Sequence, residues 1–465
     1  MAEASNRMSR QDEALARAKG APPFLIARLL LEVLERDEPL DPRWRPVWEK
    51  VAEDLARDSS VPDEVAERID RAVRAIESVD PRVFQISLHN DDQVCLLLGA
   101  GASAPSPSNI PTVAALLPEM WRRARKLGRD DIDRLASWCD TRRITNIEDL
   151  LTAAYLANFA AKNASVSGLL DYFLFRDRDS DDRKYWAATR RGVPRLASEV
   201  DAASVALFQE TLQGLFGLLT GTMIPAPPNA AHEAIVQFVK RHPRSSIVTT
   251  NYDGCADEAL LRGDVAFNTH VAETQVDGSQ STALDLIKIH GSINWSYCES
   301  CHEVKEFGLL EIKRWFEDDT VSYAVVGICK KCGGQRRPLL IPPMGLKFVM
   351  FPNLIRLWNL ARQNIERSKY LVVVGFSFSE ADSYINKIIE RSMSFHSDQT
   401  VIVCDPNPNV AATLRARFVA RIDGFAKERV LTVGGSADKL LPKVLDAMAS
   451  PSRTEAIAEA AAPPN

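Results

Sequence analysis

The stretch Val-Cys-Leu-Leu-Leu-Gly-Ala-Gly-Ala-Ser at residues 94–103 places an apolar run directly before two closely spaced glycines. The run at 94–98 is continuously apolar, which is typical of a strand covered by other elements on both faces. Gly99 and Gly101 permit a tight turn and let backbone N–H groups approach a phosphate at the start of the next helix. The third glycine of the usual dinucleotide fingerprint is absent, so a plain strand-to-helix turn fits this stretch equally well.

Apolar runs of the same kind recur along the chain, with helical patterns between most of them. The clear runs lie at residues 247–249, 286–289, 370–374 and 400–404, and a weaker run lies at 430–433. Strands that alternate with helices predict an α/β fold with a mostly parallel sheet. Ligands of such sheets bind beyond the carboxyl ends of the strands, so the residues directly after each run are the candidates for chemistry.

Polar side chains follow four of these runs. Asn251 and Asp253 come after the second run; an amide can orient water or a sugar hydroxyl, and a carboxylate can accept from a carboxamide. His290 ends the third run, where a neutral imidazole can act as a general base. Ser377 and Asp405 follow the next two runs, and an acid at such a position often binds an adenosine ribose. Taken singly, these residues also fit helix caps, turns or a buried core histidine.

The spacing of four cysteines is the strongest single motif. Cys298 and Cys301 form one Cys-x-x-Cys pair, and Cys329 and Cys332 form a second. Four thiolates in this pattern suit a closed, structural zinc site, with free thiols or a redox pair as alternatives. The 27 residues between the pairs exceed the roughly 15–20 of the usual pattern, which predicts an excursion there. The remaining cysteines lie in apolar surroundings and are expected in the core: Cys95, Cys139, Cys255 and Cys404.

Composition limits the class of protein. The chain has 465 residues, 46% of them hydrophobic, and a formal net charge of −5, which is ordinary for a globular protein of two or three domains. The acidic balance does not indicate nucleic-acid binding by bulk charge. The start lacks the layout of a secretory signal, and glycines and prolines interrupt the longest uncharged stretch, 211–231, so no membrane span is expected. These features predict a cytoplasmic protein.

The chain divides into a helical start, a large α/β region and a polar tail. In residues 1–80 apolar residues recur at helical spacing, and no group of candidate catalytic residues is present. This region is expected to serve packing or assembly. Residues 81–449 form the expected catalytic domain, with a helical insert at 112–243 and the zinc module at 296–337. Residues 450–465 are rich in Ala, Glu and Pro and are expected to be disordered.

Taken in order, these motifs resemble the sirtuin family over roughly residues 94–433. The glycine loop at 99–103 is similar to the family's Gly-Ala-Gly-x-Ser, and Ile110-Pro111 to the Ile-Pro that follows it. Thr249-Thr250-Asn251-Tyr252-Asp253 is similar to Thr-Gln-Asn-Ile-Asp, and His290-Gly291 to the catalytic His-Gly. Gly375-x-Ser377 stands where the family has Gly-Thr-Ser.

The resemblance implies a Rossmann-like domain that binds NAD and carries a small zinc module. It implies that Asn251 binds the nicotinamide ribose, that Asp253 lies near the nicotinamide, and that His290 is the general base. The rest of the NAD, its pyrophosphate and adenosine ribose, is assigned to seven positions: Gly99, Ala100, Gly101, Ser103, Gly375, Ser377 and Asp405.

Departures from the family pattern distinguish its branches. Protein-deacylating sirtuins have Asp-Phe-Arg or a close variant after Ile-Pro, whereas here Pro111 is followed by Thr-Val-Ala-Ala. Their Phe-Gly-Glu segment, which pairs with the acyl-lysine peptide, is replaced by Pro-Leu-Leu-Ile-Pro-Pro-Met-Gly at 338–345. Prolines lack the N–H that strand addition needs. With its helical insert and helical start, the chain looks like the sirtuin-like NAD hydrolases of bacterial anti-phage systems, which deplete cellular NAD when triggered.

This resemblance implies hydrolysis of the nicotinamide–ribose bond of NAD⁺. An NAD-dependent protein deacylase that uses the same His290 is the first alternative. A module that binds NAD or ADP-ribose without turnover is the second. A hydrolase of this kind needs a gate, so we expect a homo-oligomer or a regulatory protein partner that acts through residues 1–80 and the insert.

Overall fold

The structure, a computed structural model, describes eleven segments of the chain: residues 78–162, 202–224, 226–271, 283–298, 300–309, 311–313, 327–342, 351, 354–379, 382–407 and 409–449. The predicted helical start lies outside the described residues up to residue 77, and the predicted disordered tail lies outside them entirely.

The described residues contain eleven strands: β1 (Ser78–Val79), β2 (Val94–Leu98), β3 (Ser245–Thr249), β4 (Phe267–Asn268), β5 (Leu284–Lys288), β6 (Gly291–Cys298), β7 (Val304–Glu306), β8 (Arg336–Leu340), β9 (Tyr370–Val374), β10 (Thr400–Asp405) and β11 (Val430–Gly434). The α-helices of the same residues are α1 (Ala100–Ser103), α2 (Val113–Lys126), α3 (Asp130–Arg142), α4 (Ile147–Lys162), α5 (Ala202–Met223), α6 (Ala230–Arg241), α7 (Cys255–Arg262), α8 (Leu354–Arg367), α9 (Ser383–Phe395), α10 (Asn409–Arg421) and α11 (Ala437–Ala449). Short 3₁₀ turns occupy Pro81–Gln85 and Lys427–Arg429.

Eight strands form one sheet in the order β1-β11-β10-β9-β2-β3-β5-β4. Every neighbouring pair is parallel except β1 and β11, which are antiparallel. The predicted mostly parallel sheet is confirmed, and each predicted apolar run overlaps one of its strands. Leu98 is level with Thr249 on one side and Val374 on the other, so three strands end together. Their following loops therefore meet at one edge.

Helices cover both faces of this sheet, which is why its strands are continuously apolar. Along β2, Cys95 and Leu97 pack into one hydrophobic cluster together with residues of α2 to α5, α8 and α9. Leu96 and Leu98 point to the opposite face and pack with α6 and α11. The described part of the predicted insert, 112–243, consists of helices α2 to α6. None of the helices among the described residues has the length and apolar character needed to cross a membrane.

A second, antiparallel sheet of order β7-β6-β8 follows directly on the third predicted run. Gly291 at its start has φ +82°, and a Cβ there would lie 2.0 Å from the Leu339 carbonyl oxygen on β8. Only glycine fits this left-handed, crowded position. The residue before it, His290, is thereby held where β5 passes into the small sheet.

Asn229 fastens helix α6 to the glycine loop. Its Oδ1 accepts from the N–H groups of Ala231 and His232 at 3.0 and 3.4 Å, which caps the helix. Its Nδ2 donates to the Ala102 carbonyl oxygen at 2.9 Å. One side chain therefore caps a helix and joins it to the loop after β2.

We expect Asn229→Ala to lower the free energy of unfolding by about 1–2 kcal/mol, because both the cap and the bond to Ala102 are lost. Asn229→Ser keeps an oxygen acceptor for the cap and is expected to lose roughly half as much. Urea denaturation followed by circular dichroism measures both changes. Equal stability of Asn229→Ala and the unmodified protein would contradict this role.

Candidate active site

Three glycines bring two loops into backbone contact at the carboxyl edge of the sheet. Gly99 N–H donates to the Val374 carbonyl and Gly101 N–H to the Gly375 carbonyl, each at 2.9 Å. Gly375 has φ +60°, and a Cβ there would lie 2.4 Å from the Gly101 backbone carbon. The glycines of the 99–101 loop therefore allow close backbone contact between the β2 and β9 loops.

A cavity of about 370 Å³ opens beside these loops, beyond the ends of β2, β3, β5 and β9. Six of the residues predicted from the sequence line it: Ala100, Asn251, Asp253, His290, Gly375 and Ser377. Another part of the lining comes from the start of α2 and from the start of α4, where Asn146, Ile147 and Glu148 line the cavity. The helical insert therefore contributes to the cavity wall.

Four other predicted residues are not among those lining this cavity: Gly99, Gly101, Ser103 and Asp405. Ser103 is buried behind it, with its Oγ 3.4 Å from Asn251 Nδ2. Asp405 ends β10, and its Oδ1 accepts from the Asn407 N–H at 2.8 Å. Burial raises the pKa of Asp405 to about 6. Its assignment to the adenosine ribose stays a prediction.

Asn251 bridges the β3 loop and the glycine loop. Its backbone N–H donates to Thr249 Oγ1 at 3.0 Å, and its Nδ2 donates to the Gly99 carbonyl oxygen at 3.0 Å. These bonds fix the direction of the amide group at the cavity wall. A fixed amide can orient a hydroxyl or a water molecule, as predicted for this residue.

His232 is a buried residue that sequence reasoning missed. Its Nδ1 accepts from the Asn229 N–H at 3.2 Å, so the ring proton resides on Nε2, which lies 3.3 Å from Ser103 Oγ. Burial lowers the pKa of His232, which keeps the ring neutral. Ser103 is thus held between His232 and Asn251. The three-residue spacing from Asn229, a reciprocal helix cap, is the signal that could have found it.

His232 also lies near Asp253 and Cys255, all three buried, with ligand atoms within 4.8 Å of one another. Both imidazole nitrogens of His232 already have hydrogen-bond partners in Asn229 and Ser103. Because neither nitrogen offers a lone pair in this arrangement, the group does not suit a metal ion.

Asp253 lines the cavity and also bonds to the start of helix α7. Its Oδ1 accepts from the Cys255 N–H at 3.0 Å, although Gly254 and not Asp253 occupies the cap position of that helix. Lys288 Nζ donates to the Asp253 carbonyl oxygen and to Asp257 Oδ2, each at 2.7 Å. The Lys288–Asp257 pair is buried, and such pairs hold their surroundings in place because either charge alone is costly. The bond from Lys288 to the Asp253 carbonyl oxygen links this pair to the loop that carries Asn251 and Asp253.

His290 lines the cavity at the end of β5 and is almost fully buried. Its carbonyl oxygen accepts from the Ile341 N–H at 2.9 Å. Its ring centroid lies 6.0 Å from that of Trp358 and 6.3 Å from that of Tyr252. Asp382 Oδ1 lies 3.2 Å from His290 Nε2. The histidine therefore faces both a cavity and a carboxylate.

Negative charge predominates around the cavity. Three carboxylates line it, Glu148, Asp253 and Asp382, and its lining within the described residues includes neither Lys nor Arg. Burial, together with the charges of Glu148 and Asp382, raises the pKa of Tyr252, whose hydroxyl donates to the Ile341 carbonyl at 2.8 Å. A cavity of this character favours a ligand with positive charge.

The four predicted zinc cysteines come together at one end of the small sheet. Cys298 Sγ lies 3.4 Å from Cys332 Sγ, and Cys301 Sγ lies 3.7 Å from Cys329 Sγ. A tetrahedral zinc–thiolate site has S···S separations of roughly 3.8 Å, so the four residues fit a zinc ion. The Arg336 guanidinium lies 3.7 Å from Cys329 Sγ, where its charge offsets that of the thiolates.

The other four cysteines are buried, as predicted: Cys95, Cys139, Cys255 and Cys404. Burial raises the pKa of Cys95, Cys139 and Cys404 to about 12, so these thiols stay protonated.

We expect the purified protein to contain about one zinc ion per chain, and Cys329→Ser to lose it. Removing one of four thiolates opens the site and weakens binding, and a lower melting temperature should accompany the loss. Emission spectrometry of protein purified without chelator measures the metal. Cys404→Ser, which alters a buried thiol of the large sheet, should retain the zinc. Wild-type protein without zinc would refute the prediction.

No family model matches the chain. The chain is similar to an NAD-dependent protein deacetylase of Staphylococcus aureus, with 24% identity over 203 residues that cover 41% of this chain and 67% of that protein. It is also similar to NAD-dependent protein deacylase 2 of Pseudomonas aeruginosa, with 30% identity over 118 residues, 25% of this chain and 35% of that protein.

Among solved structures, the chain is similar to a Sir2 homolog–NAD complex, with a TM-score of 0.42, 15% identity and coverage of 80% of this chain and 94% of that one. A Sir2 homologue mutant–ADP ribose complex gives a TM-score of 0.40 at 15% identity, covering 82% of this chain and 98% of that one.

Proposed function

We propose that this chain is an NAD⁺ hydrolase that cleaves the nicotinamide–ribose bond and releases nicotinamide and ADP-ribose. The observation that carries the proposal is the cavity where Asn251, Asp253 and His290 meet beside an excess of carboxylates. The names of the relatives, NAD-dependent deacetylases and deacylases, support NAD⁺ as the substrate.

The chemistry of this bond suits such a cavity. The nicotinamide of NAD⁺ is a cationic pyridinium and leaves as a neutral molecule, while positive charge develops on the ribose in an oxocarbenium-like transition state. Fixed carboxylates stabilise that charge without reorganising. Asp253 and Glu148 would provide this field and Asp253 would also hold the carboxamide.

Water then adds to the ribose carbon that nicotinamide has left. Asn251 would orient the water or the ribose hydroxyl, since its backbone N–H is bonded to Thr249 Oγ1 and its side-chain amide to the Gly99 carbonyl oxygen. One proton must leave the oxygen that attacks, and His290 would accept it. The C–N bond breaks and its electron pair stays on the nicotinamide nitrogen, which neutralises the ring. The new C–O bond forms with an electron pair from the water oxygen.

The remainder of the dinucleotide would extend along the strand ends. Ala100, Gly375 and Ser377 line the cavity next to the glycine loops and would contact the pyrophosphate. Asp405, at the end of the adjacent strand β10, would bind the adenosine ribose. The Asp405 carboxyl would accept hydrogen bonds from both ribose hydroxyls only when it is ionised, so binding of NAD⁺ should improve above its pKa of about 6.

A protein deacylase remains the second candidate, because the relatives carry that activity in their names. Among the described residues, the strand β8 is an edge strand that pairs with β6, and it contains Pro338. Proline offers no N–H to an added peptide strand, so an acyl-lysine peptide would lose a hydrogen bond at this edge.

One experiment separates these activities. Purified protein at several concentrations is incubated with NAD⁺, with and without an acetylated peptide, and the products are resolved by chromatography. Nicotinamide and ADP-ribose without peptide support the hydrolase. Acyl-ADP-ribose that appears only with peptide supports the deacylase. NAD⁺ binding without turnover in every arm would identify a sensor and contradict both enzymes.

We further propose that the enzyme is a gated effector of bacterial anti-phage defence that acts in the cytoplasm as a homo-oligomer or with a protein partner. The resemblance of the insert and start to sirtuin-like NAD hydrolases supports this. Light scattering at increasing concentration, with NAD⁺ loss measured in parallel, tests whether assembly controls turnover.

A further inference from the structure

We propose that Asp382 is a positioning residue for His290 and that the two form an acid–imidazole pair which sets the basicity of the histidine. The proposal rests on the proposed function, because it gives His290 the role of proton acceptor. Asp382 belongs to none of the sequence motifs described above; the structure assigns it.

The geometry is that of a buried ion pair. Asp382 Oδ1 lies 3.2 Å from His290 Nε2, and the two side chains are 8% and 4% exposed. Little water reaches either group, so their interaction is weakly screened. At this separation the negative charge of Asp382 favours a proton on Nε2 over a lone pair there.

The backbone around Asp382 is held by several bonds. Its N–H donates to the Ser379 carbonyl at 3.1 Å, directly before helix α9. Within α9, Asn386 Nδ2 donates to the carbonyl oxygens of Phe378 and Ser379 at 3.2 and 2.8 Å. The carboxylate therefore has a defined place relative to the β9 loop, which also carries Ser377.

His290 is equally well held from the other side. Gly291 admits the close approach of β8, and the Ile341 N–H binds the His290 carbonyl. The ring packs 6.0 Å from Trp358, which itself makes an edge contact with Tyr384 at 5.0 Å. A ring fixed in this way keeps one nitrogen toward Asp382.

This arrangement determines the protonation pattern needed for catalysis. With the proton of the neutral ring on Nε2, the lone pair is on Nδ1, which is then the accepting nitrogen. When Nδ1 takes a proton from the ribose hydroxyl or water, an imidazolium forms next to the Asp382 carboxyl group. Asp382 stabilises that cation and thereby lowers the barrier, and it does not itself take up the transferred proton.

Other titratable groups face the same cavity and are part of the test. Tyr252 and Asp253 come from the β3 loop, and Glu148 comes from helix α4. Their charges act on His290 in every variant at position 382. A comparison between variants at that position therefore isolates the contribution of Asp382.

We expect Asp382→Asn to lower kcat by about 10²-fold and to leave KM for NAD⁺ within about threefold, because the other two cavity carboxylates, Glu148 and Asp253, remain. The acid limb of the kcat–pH profile should move to lower pH, since loss of the anion favours the neutral imidazole. Asp382→Glu restores a carboxylate and should recover part of the rate. Asp446→Asn, which removes an exposed carboxylate paired with Arg241, is the matched control and should change nothing.

A titration without substrate tests the pair independently of turnover. In protein labelled with ¹⁵N-histidine, NMR follows the His290 ring, which is assigned by its absence in His290→Asn. We expect the pKa of His290 to fall in Asp382→Asn by about one unit or more and to stay near the wild-type value in Asp382→Glu. Unchanged titration in Asp382→Asn would overturn the proposal, whereas a shifted titration with no NAD⁺ turnover by wild-type protein would overturn the proposed function alone.

Discussion

Replacing His290 with alanine is expected to reduce the rate of NAD⁺ hydrolysis by about 10³-fold or more while the protein remains folded. The side chain lines the cavity, and in the proposed reaction it accepts the proton of the attacking oxygen. The smaller alanine leaves the backbone bond from Ile341 in place, so the link between β5 and the small sheet persists. Nicotinamide release measured by chromatography gives the rate.

The control for this variant is His396→Ala, which removes an exposed imidazole at the end of α9. Its rate should equal that of the unmodified protein. Asn251→Ala should also abolish turnover, because the amide that orients the ribose is lost. Near-wild-type rates in both His290→Ala and Asn251→Ala, with the circular dichroism spectrum retained, would remove these residues from the mechanism.

Replacing Gly375 with alanine is expected to destabilise the fold by about 3 kcal/mol or more, enough to lose much of the folded protein at 37 °C. Two costs add at this position. The backbone has φ +60°, and the new Cβ would lie 2.4 Å from the backbone of Gly101. The β2 and β9 loops would have to separate, and both line the cavity. Urea denaturation and the yield of folded protein measure the effect.

Gly128 provides a matched control, because it has φ +62° with nothing within 4 Å of an added Cβ. Gly128→Ala therefore carries the conformational cost alone, about 1–2 kcal/mol. The difference between the two variants measures the crowding of the two loops. If Gly375→Ala were no less stable than Gly128→Ala, the close contact of the loops would be wrong.

The strands could be predicted because a strand that is buried on both faces has a short, uninterrupted run of apolar residues in the sequence. The run at 94–98 coincides with β2 (Val94–Leu98), and the run at 370–374 coincides with β9 (Tyr370–Val374). The loops beyond these strands could be predicted as the site for the same reason, since parallel strands end at one edge. The spacing of the four cysteines likewise predicted a cluster that the structure contains.

Residues that reach the cavity from distant parts of the chain could not be predicted in this way. Glu148 lies in the helical insert, which we expected to serve assembly. The helical spacing of apolar residues in the insert does not indicate that the first turn of α4 lines a cavity. Asp382 precedes helix α9, where an acid is also a common cap. The approach of Asp382 to His290 depends on how the loops after β9 and β5 pack against each other. No local sequence pattern predicts that packing.

The excess of carboxylates around the cavity also bears on the oxidation state of the dinucleotide. NAD⁺ carries its positive charge on the nicotinamide ring, and NADH has lost that charge by accepting a hydride. If NAD⁺ is the ligand, as proposed, a cavity lined by Glu148, Asp253 and Asp382 attracts the first ring and offers the second no electrostatic gain. Reduction of the cellular pool would therefore shield it from cleavage, and an active enzyme would deplete an oxidised cell faster than a reduced one.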